Sequence, residues 1–167
     1  MCSPDKVSIY SLGPDVLFFQ HHDDTIYPSL RLVHKCTHTH PPTHPPTQPH
    51  HHPLPPPITL TPSNLTPPPL VPQCFPTLQV DRGAIRFILD GAQLMCPGLT
   101  SPGAKLPPAD QAVPAGRVVA INAEGKQNAC MVGRTKMGTE EMKRINKGVG
   151  VETVHFLGDG VWGMKVE

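Results

Sequence analysis

The sequence predicts a mixed α+β protein whose C-terminal half forms a small closed or half-closed barrel with short helices at its flanks. Three observations predict it. From Leu78 onward, two helix-sized apolar patterns and several β-rich runs succeed one another as helix, strand, paired strands, helix, paired strands. Ahead of that half lies a segment crowded with proline, histidine and threonine, itself preceded by a short β-rich start. Only 5% of the residues are aromatic while 23 are proline, so the apolar core is small and much of the chain stays out of it.

The stretch Asp81 to Lys105, DRGAIRFILDGAQLMCPGLTSPGAK, organises the globular half. Asp81 is placed to cap a helix, because its carboxylate can accept the free N–H groups of a first turn. Ala84, Ile85, Phe87, Ile88 and Leu89 supply the apolar face, and Gly91 sits where a left-handed residue ends the helix. Gln93 to Cys96 reads as a short strand, Pro97-Gly98 as a turn.

The remaining elements follow in order. Val7 to Tyr10 and Val16 to Phe19 predict a hairpin about Leu12 to Asp15, with Tyr27 to Val33 as a third strand. Three such strands bury too little to fold alone. Between Cys36 and Leu70 there is no charged residue and no glycine, and the prolines remove backbone donors, so an extended, disordered linker is expected. That segment also lacks every residue whose codons begin with G, as a translated pyrimidine-rich intron tract would. His38, His40 and His50 to His52 could hold a transition metal weakly, but nothing fixes them in place, and neither a metal nor a cofactor is expected. Further on, Arg117 to Asn122 and Gln127 to Val132 predict an antiparallel pair. Thr139 caps a second helix closed by Gly148, whose charges follow the helix dipole: Glu140 and Glu141 first, Lys143, Arg144 and Lys147 last. Val151 to Leu157 and Val161 to Val166 read as strands joined at Gly158-Asp159-Gly160. His155 is expected to face outward, and Phe156 and Trp162 to reach the core. The chain thus divides into residues 1–35, a partial N-terminal domain, 36–72, an insertion, and 73–167, the globular domain.

Composition excludes several classes. A net charge of +1 predicts no polyanion partner by itself. Cys2, Cys36, Cys74, Cys96 and Cys130 form no CxxC pair and no even framework, which suits free thiols in a reducing compartment. No apolar run reaches the roughly 20 residues that span a bilayer, and no signal peptide is evident, so a cytoplasmic location is expected. No nucleophile elbow, phosphate-binding lysine loop or supported carboxylate pair points to an enzyme.

DRGAIRFILDGAQLMCPGLTSPGAK, AINAEGKQNACMVG and KMGTEEMKRINKGVGVETVHFLGDGVW together resemble the C-terminal PUA domain of the malignant T-cell amplified sequence protein family. DVLFFQHHDDTIYPSLRLVHK resembles the end of that family's N-terminal domain. The resemblance implies a PUA-type pseudo-β-barrel and a translation factor rather than an enzyme. It implies action on the small ribosomal subunit in initiation or reinitiation and in removal of deacylated tRNA. The implied partners are small-subunit rRNA, the tRNA acceptor end and the density-regulated protein. Matching positions place the RNA surface at Gly91, Ala92, Met95, Pro97, Gly98 and Lys105. Three departures from the family stand out: a shorter N-terminal domain, the insertion after Lys35, and a longer connection at Asp110 to Gly116. The first of these supports the alternative of a regulatory or aberrant isoform that binds RNA but has lost its ribosome partner.

Glycines suit such a surface because they let backbone approach a phosphate or base closely. Arg82 and Arg86, four apart on one helix face, form the best local basic cluster. From Gln79 onward there are 11 Lys plus Arg against nine Asp plus Glu, a net of +2, so phosphate attraction is modest. Ser101-Pro102 has the form of a proline-directed phosphorylation site on this loop.

Overall fold

The structure, a computed structural model, describes residues 7–21, 25–37 and 75–164. The metal reading of the histidine tracts, the disorder of the insertion and the first and last residues of the chain lie outside them.

The predicted hairpin is present as strands β1 (Val7–Leu12) and β2 (Asp15–His21), and β3 (Tyr27–Pro28) adds to β2 in the order β1-β2-β3, all antiparallel. The third strand is far shorter than expected. Pro28 has no N–H to continue a ladder. Ser29 then starts a helix: its hydroxyl accepts the Leu32 N–H at 3.2 Å and donates to the Val16 carbonyl at 2.6 Å. The stretch expected to finish the strand is therefore α1 (Leu30–Thr37), with Leu30 and Val33 buried on one face.

The second sheet has five strands in the order β4-β6-β7-β8-β5, formed by β4 (Thr77–Val80), β5 (Leu94–Met95), β6 (Val118–Ala123), β7 (Ala129–Thr135) and β8 (Val149–Phe156). β4 runs parallel to β6 and the other pairs are antiparallel. Helices α2 (Arg82–Leu89), α3 (Pro97–Thr100) and α4 (Thr139–Ile145) pack against it. This is the mixed α+β half-barrel that the sequence predicts. Leu78, Val80, Ile88, Leu99, Ile121, Met131, Met142 and Val151 fill its centre. The connection from residue 110 to 116 is pinned to the barrel edge, with Val113 buried, its N–H on the Thr139 hydroxyl at 3.0 Å and the Thr135 hydroxyl on the Pro114 carbonyl at 2.7 Å.

Four local expectations change. Pro97-Gly98 opens the single-turn helix α3, with proline at the first position where its missing N–H is harmless. Gly138, not Thr139, stands at the α4 N-cap, and the Thr139 hydroxyl serves Val113 instead. The same helix ends at Asn146, in the left-handed region at φ 47°, two residues before Gly148. Residues 161–164 are not a strand. Asp159 Oδ1 accepts the Trp162 N–H at 2.8 Å and caps α5 (Gly160–Gly163), so the glycine pair around Asp159 begins a helix.

The two sheets share a seam, and the small N-terminal unit folds by covering its apolar face there. Leu30 and Val33 of α1 pack on Ala120, Ala129 and Val132, with Trp162 at the margin. The Arg31 guanidinium lies 5.4 Å from the Trp162 ring and donates to the Trp162 carbonyl at 2.9 Å, while His34 Nε2 meets the Ala129 carbonyl at 2.7 Å. His155, expected outside, is fully buried in this seam, edge-on to Phe19 at 5.4 Å. Phe156 packs partly against the core, whereas Trp162 packs on α1 from helix α5. Cys96 and Cys130 are buried free thiols, and burial pushes Cys130 up to about 11.

Candidate nucleic-acid interface

Helix α2 begins as expected: Asp81 Oδ1 accepts the Ala84 N–H at 2.8 Å. It ends at Asp90, after which the Gly91 N–H reaches the Ile88 carbonyl and the Ala92 N–H the Phe87 carbonyl, each at 2.9 Å. This paired closure needs a left-handed residue, and Gly91 supplies it at φ 77°. The helix buries Ala84 and Ile88 only; Phe87 and Leu89, expected in the apolar face, are 51% and 43% exposed. A stripe four residues apart satisfies the core and leaves Phe87 at its rim.

The chain then turns back along the helix. Thr153 of β8 holds the returning loop, its hydroxyl on the Ala92 carbonyl at 2.6 Å and its N–H on Gln93 Oε1 at 3.2 Å. β5 pairs with β8, and α3 closes the far side, where the Asp81 N–H donates to the Gly98 carbonyl at 3.2 Å. A Cβ on Gly98 would stand 3.0 Å from the Ala84 side chain, so glycine there lets α3 abut α2.

Between α2, β5 and α3 lies an open groove of about 750 Å³. Of the residues singled out in the sequence, Arg86, Ala92, Met95, Pro97, Gly98 and Ser101 line it. Arg82, Gly91 and Lys105 are not in its lining. Arg82 points to the β6–β7 turn, 3.9 Å from Glu124, so the two arginines do not act as one cluster. The space over Gly91 is occupied by the Phe156 ring, and Lys105 is fixed through its backbone to Gln79. Asp81, Phe87 and Leu94, which the sequence did not place at the RNA surface, also line the groove. Phe87 was legible in principle, as an aromatic beside Arg86 on a helix whose core stripe is complete without it.

The groove has little charge. The Arg86 guanidinium lies 4.6 Å from the Phe87 ring, and the Asp81 carboxylate is engaged by the Ala84 N–H and by the Ser101 hydroxyl. Among the described residues no group of three His, Cys, Asp or Glu side chains is placed to hold a metal, and no helix is long and apolar enough to cross a membrane.

Residues 76–157 match the PUA domain and residues 1–36 the Pre-PUA-like domain. Translation machinery-associated protein 20 of Saccharomyces cerevisiae is 44% identical over 98% of this chain and 70% of its own length. Malignant T-cell-amplified sequence 1 of Rattus norvegicus is 40% identical over 96% of this chain and 67% of its own. A conserved PUA domain protein from Thermoplasma acidophilum, 19% identical, shares the fold with a TM-score of 0.59 over 94% of this chain and 74% of that one.

Proposed function

The chain belongs to the family of malignant T-cell-amplified sequence proteins and translation machinery-associated protein 20, and from that premise we propose an RNA-binding, translation-related function. More specifically, it acts without catalysis on the small ribosomal subunit, in initiation or reinitiation and in removal of deacylated tRNA. Its RNA contacts are small-subunit rRNA and the tRNA acceptor end, its protein partner is the density-regulated protein, and its compartment is the cytoplasm. The observation that carries the reading is the groove between α2, β5 and α3, where the family resemblance, an exposed aromatic and an arginine coincide.

Co-sedimentation with purified small ribosomal subunits, with and without the density-regulated protein, tests it. Pelleting with the subunit is expected; failure in both arms rejects the ribosomal role. Retention of naked RNA with no subunit binding would instead favour an isoform that keeps its RNA surface but not its partner function. Arg86→Ala should weaken RNA binding several-fold and lower the salt slope by about 0.7, the share of one phosphate contact on a single strand. Arg82→Ala, removing a side chain turned toward Glu124, should change it less.

Ser101 gives a second expectation. Its hydroxyl donates to Asp81 Oδ2 at the groove wall, so a phosphate there would set about 1.5 to 2 negative charges against a carboxylate and in the path of RNA. Ser101→Glu is expected to reduce RNA affinity while Ser101→Ala leaves it near wild type, as read by filter binding.

A further inference from the structure

We propose that β1 is a self-pairing edge: two copies of this chain associate through an antiparallel β1–β1 ladder about a two-fold axis, which joins their two N-terminal sheets into one. The contact is separate from the RNA groove and does not depend on the RNA-binding reading.

β1 stands at the end of the order β1-β2-β3, and among the described residues no backbone hydrogen bond reaches its outer side. Alternate residues of such an edge keep unpaired N–H and C=O groups, which template a further strand. Edges are ordinarily blunted by a charge, a proline or a bulge. VSIYSL has no charged residue and no proline, and the register shift in the β1–β2 ladder falls on β2, where Leu17 is the extra residue. Every residue of β1 except Ile9 is exposed, Tyr10 at 45% and Leu12 at 74%. The other edges are covered or short: Lys105 bridges β4 at Gln79, β5 has two residues, and β3 has two and ends in Pro28.

The geometry selects a second copy as the occupant. Partners across an antiparallel ladder share a face, so a two-fold pairing must be centred on a residue. Centred on Tyr10, it sets Tyr10 against the partner's Tyr10 and Leu12 against the partner's Ser8, and so covers the two most exposed apolar side chains of the strand with no charge opposed to another. There is room for it. Val7 and Ser11 lie on the same face as the buried Val16 and Phe19 of β2 yet are exposed, so the barrel does not extend beneath β1. The far edge of each sheet is the short β3, so association closes at two copies and does not propagate into a fibre. Both grooves stay open, because α1 packs on the Ala120 and Val132 side of the barrel sheet and α2 on the Val119 and Ile121 side.

Sedimentation equilibrium of the full chain, without RNA and over about 1 to 200 μM, tests the proposal. A monomer–dimer equilibrium is expected, with a dissociation constant on the order of 10 μM, as suits a small interface. Tyr10→Lys, which sets two like charges opposite each other at the axis, should weaken association about tenfold. Mixed with Tyr10→Glu, it should associate again, since the two charges then face each other across the ladder. Tyr10 is half exposed, so an unchanged melting temperature at the dilute end checks that the variants are folded. The β1 amides should gain hydrogen-exchange protection at the concentrated end. A single monomer mass throughout the series overturns the proposal, and so does open-ended assembly. A dimer indifferent to Tyr10→Lys overturns it as well, because another surface then makes the contact.

Discussion

Replacing Asp159 by alanine is expected to lower stability by about 3 kcal/mol, the largest effect we anticipate from one polar side chain. One carboxylate does four things. Its Oδ1 caps α5 through the Trp162 N–H at 2.8 Å, and its Oδ2 accepts the Phe156 N–H at 3.0 Å and pairs with His155 Nδ1 at 2.7 Å. By fixing α5 it also sets Trp162 where Arg31 and His34 of the N-terminal unit meet it. Loss of a cap costs about 1 kcal/mol, and a buried imidazole left without its acceptor costs about 1–3 kcal/mol more. His155 can ill bear the loss, because among the described residues its Nε2 already has no hydrogen-bond partner. Thermal unfolding followed by circular dichroism should show a midpoint lowered by about 10 °C. Asp159→Asn, which keeps an acceptor for the Trp162 N–H, should lose less. A midpoint unchanged in Asp159→Ala would mean that the seam does not depend on this residue.

The same group sets an acid limit. Burial pushes the Asp159 carboxyl up, but the hydrogen bonds from His155 and from the Trp162 and Phe156 N–H groups outweigh it and hold the group below its usual 3.8. A carboxyl lowered by folding stabilises the native state above its unfolded value, and that contribution is lost as pH falls through the folded value. Glu152, lowered chiefly by its hydrogen bond from Lys136 and then by Arg134, acts in the same direction. Stability should therefore hold at neutral pH and decline below about pH 4, and Asp159→Asn should make that decline shallower.

How far the sequence reveals these features depends on how local their causes are. The cap at Asp81, the left-handed Gly91 and the hairpin of β1 and β2 rest on neighbours within a few residues, and each is legible from chain pattern alone. Tyr27 to Val33 alternates like a strand, yet Pro28 stops the ladder and the Ser29 hydroxyl, braced by Val16 on β2, turns the chain into a helix. Gly158 to Gly160 has the composition of a hairpin, but Asp159 caps a helix because His155 and Phe156 hold its carboxylate in place. The arginines at 82 and 86 share a helix face by spacing, and only the position of Glu124 on another strand connection separates them. The PUA-like order of elements was carried by several segments at once. The groove needed the third dimension, since the ladder of β5 with β8 and the hydrogen bond from the Asp81 N–H to the Gly98 carbonyl are what bring β5 and α3 beside α2.

Gly133→Ala is expected to cost about 2–3 kcal/mol although it adds a single methyl group. Gly133 lies in β7 beside a register shift in the β7–β8 ladder. A Cβ built there would stand 2.5 Å from Val151 Cγ1 and 2.6 Å from the Glu152 carbonyl oxygen. A side chain can swing away, but a ladder carbonyl cannot move without displacing its strand. The strain would pass along β8, which carries Val151 in the core, Glu152 in its ion pairs with Arg134 and Lys136, and Thr153 against the groove loop. Destabilisation and weaker RNA binding should therefore appear together in this variant, even though Gly133 does not line the groove. Gly163→Ala provides the contrast, because among the described residues nothing beyond its chain neighbours and its own helix backbone lies within 4 Å of the added methyl, and its φ is ordinary. In the short α5 helix it should be neutral or slightly stabilising. Chemical denaturation gives the comparison directly: equal midpoints for the two variants would show that β7 and β8 have room to separate, and that this glycine is not required by close approach.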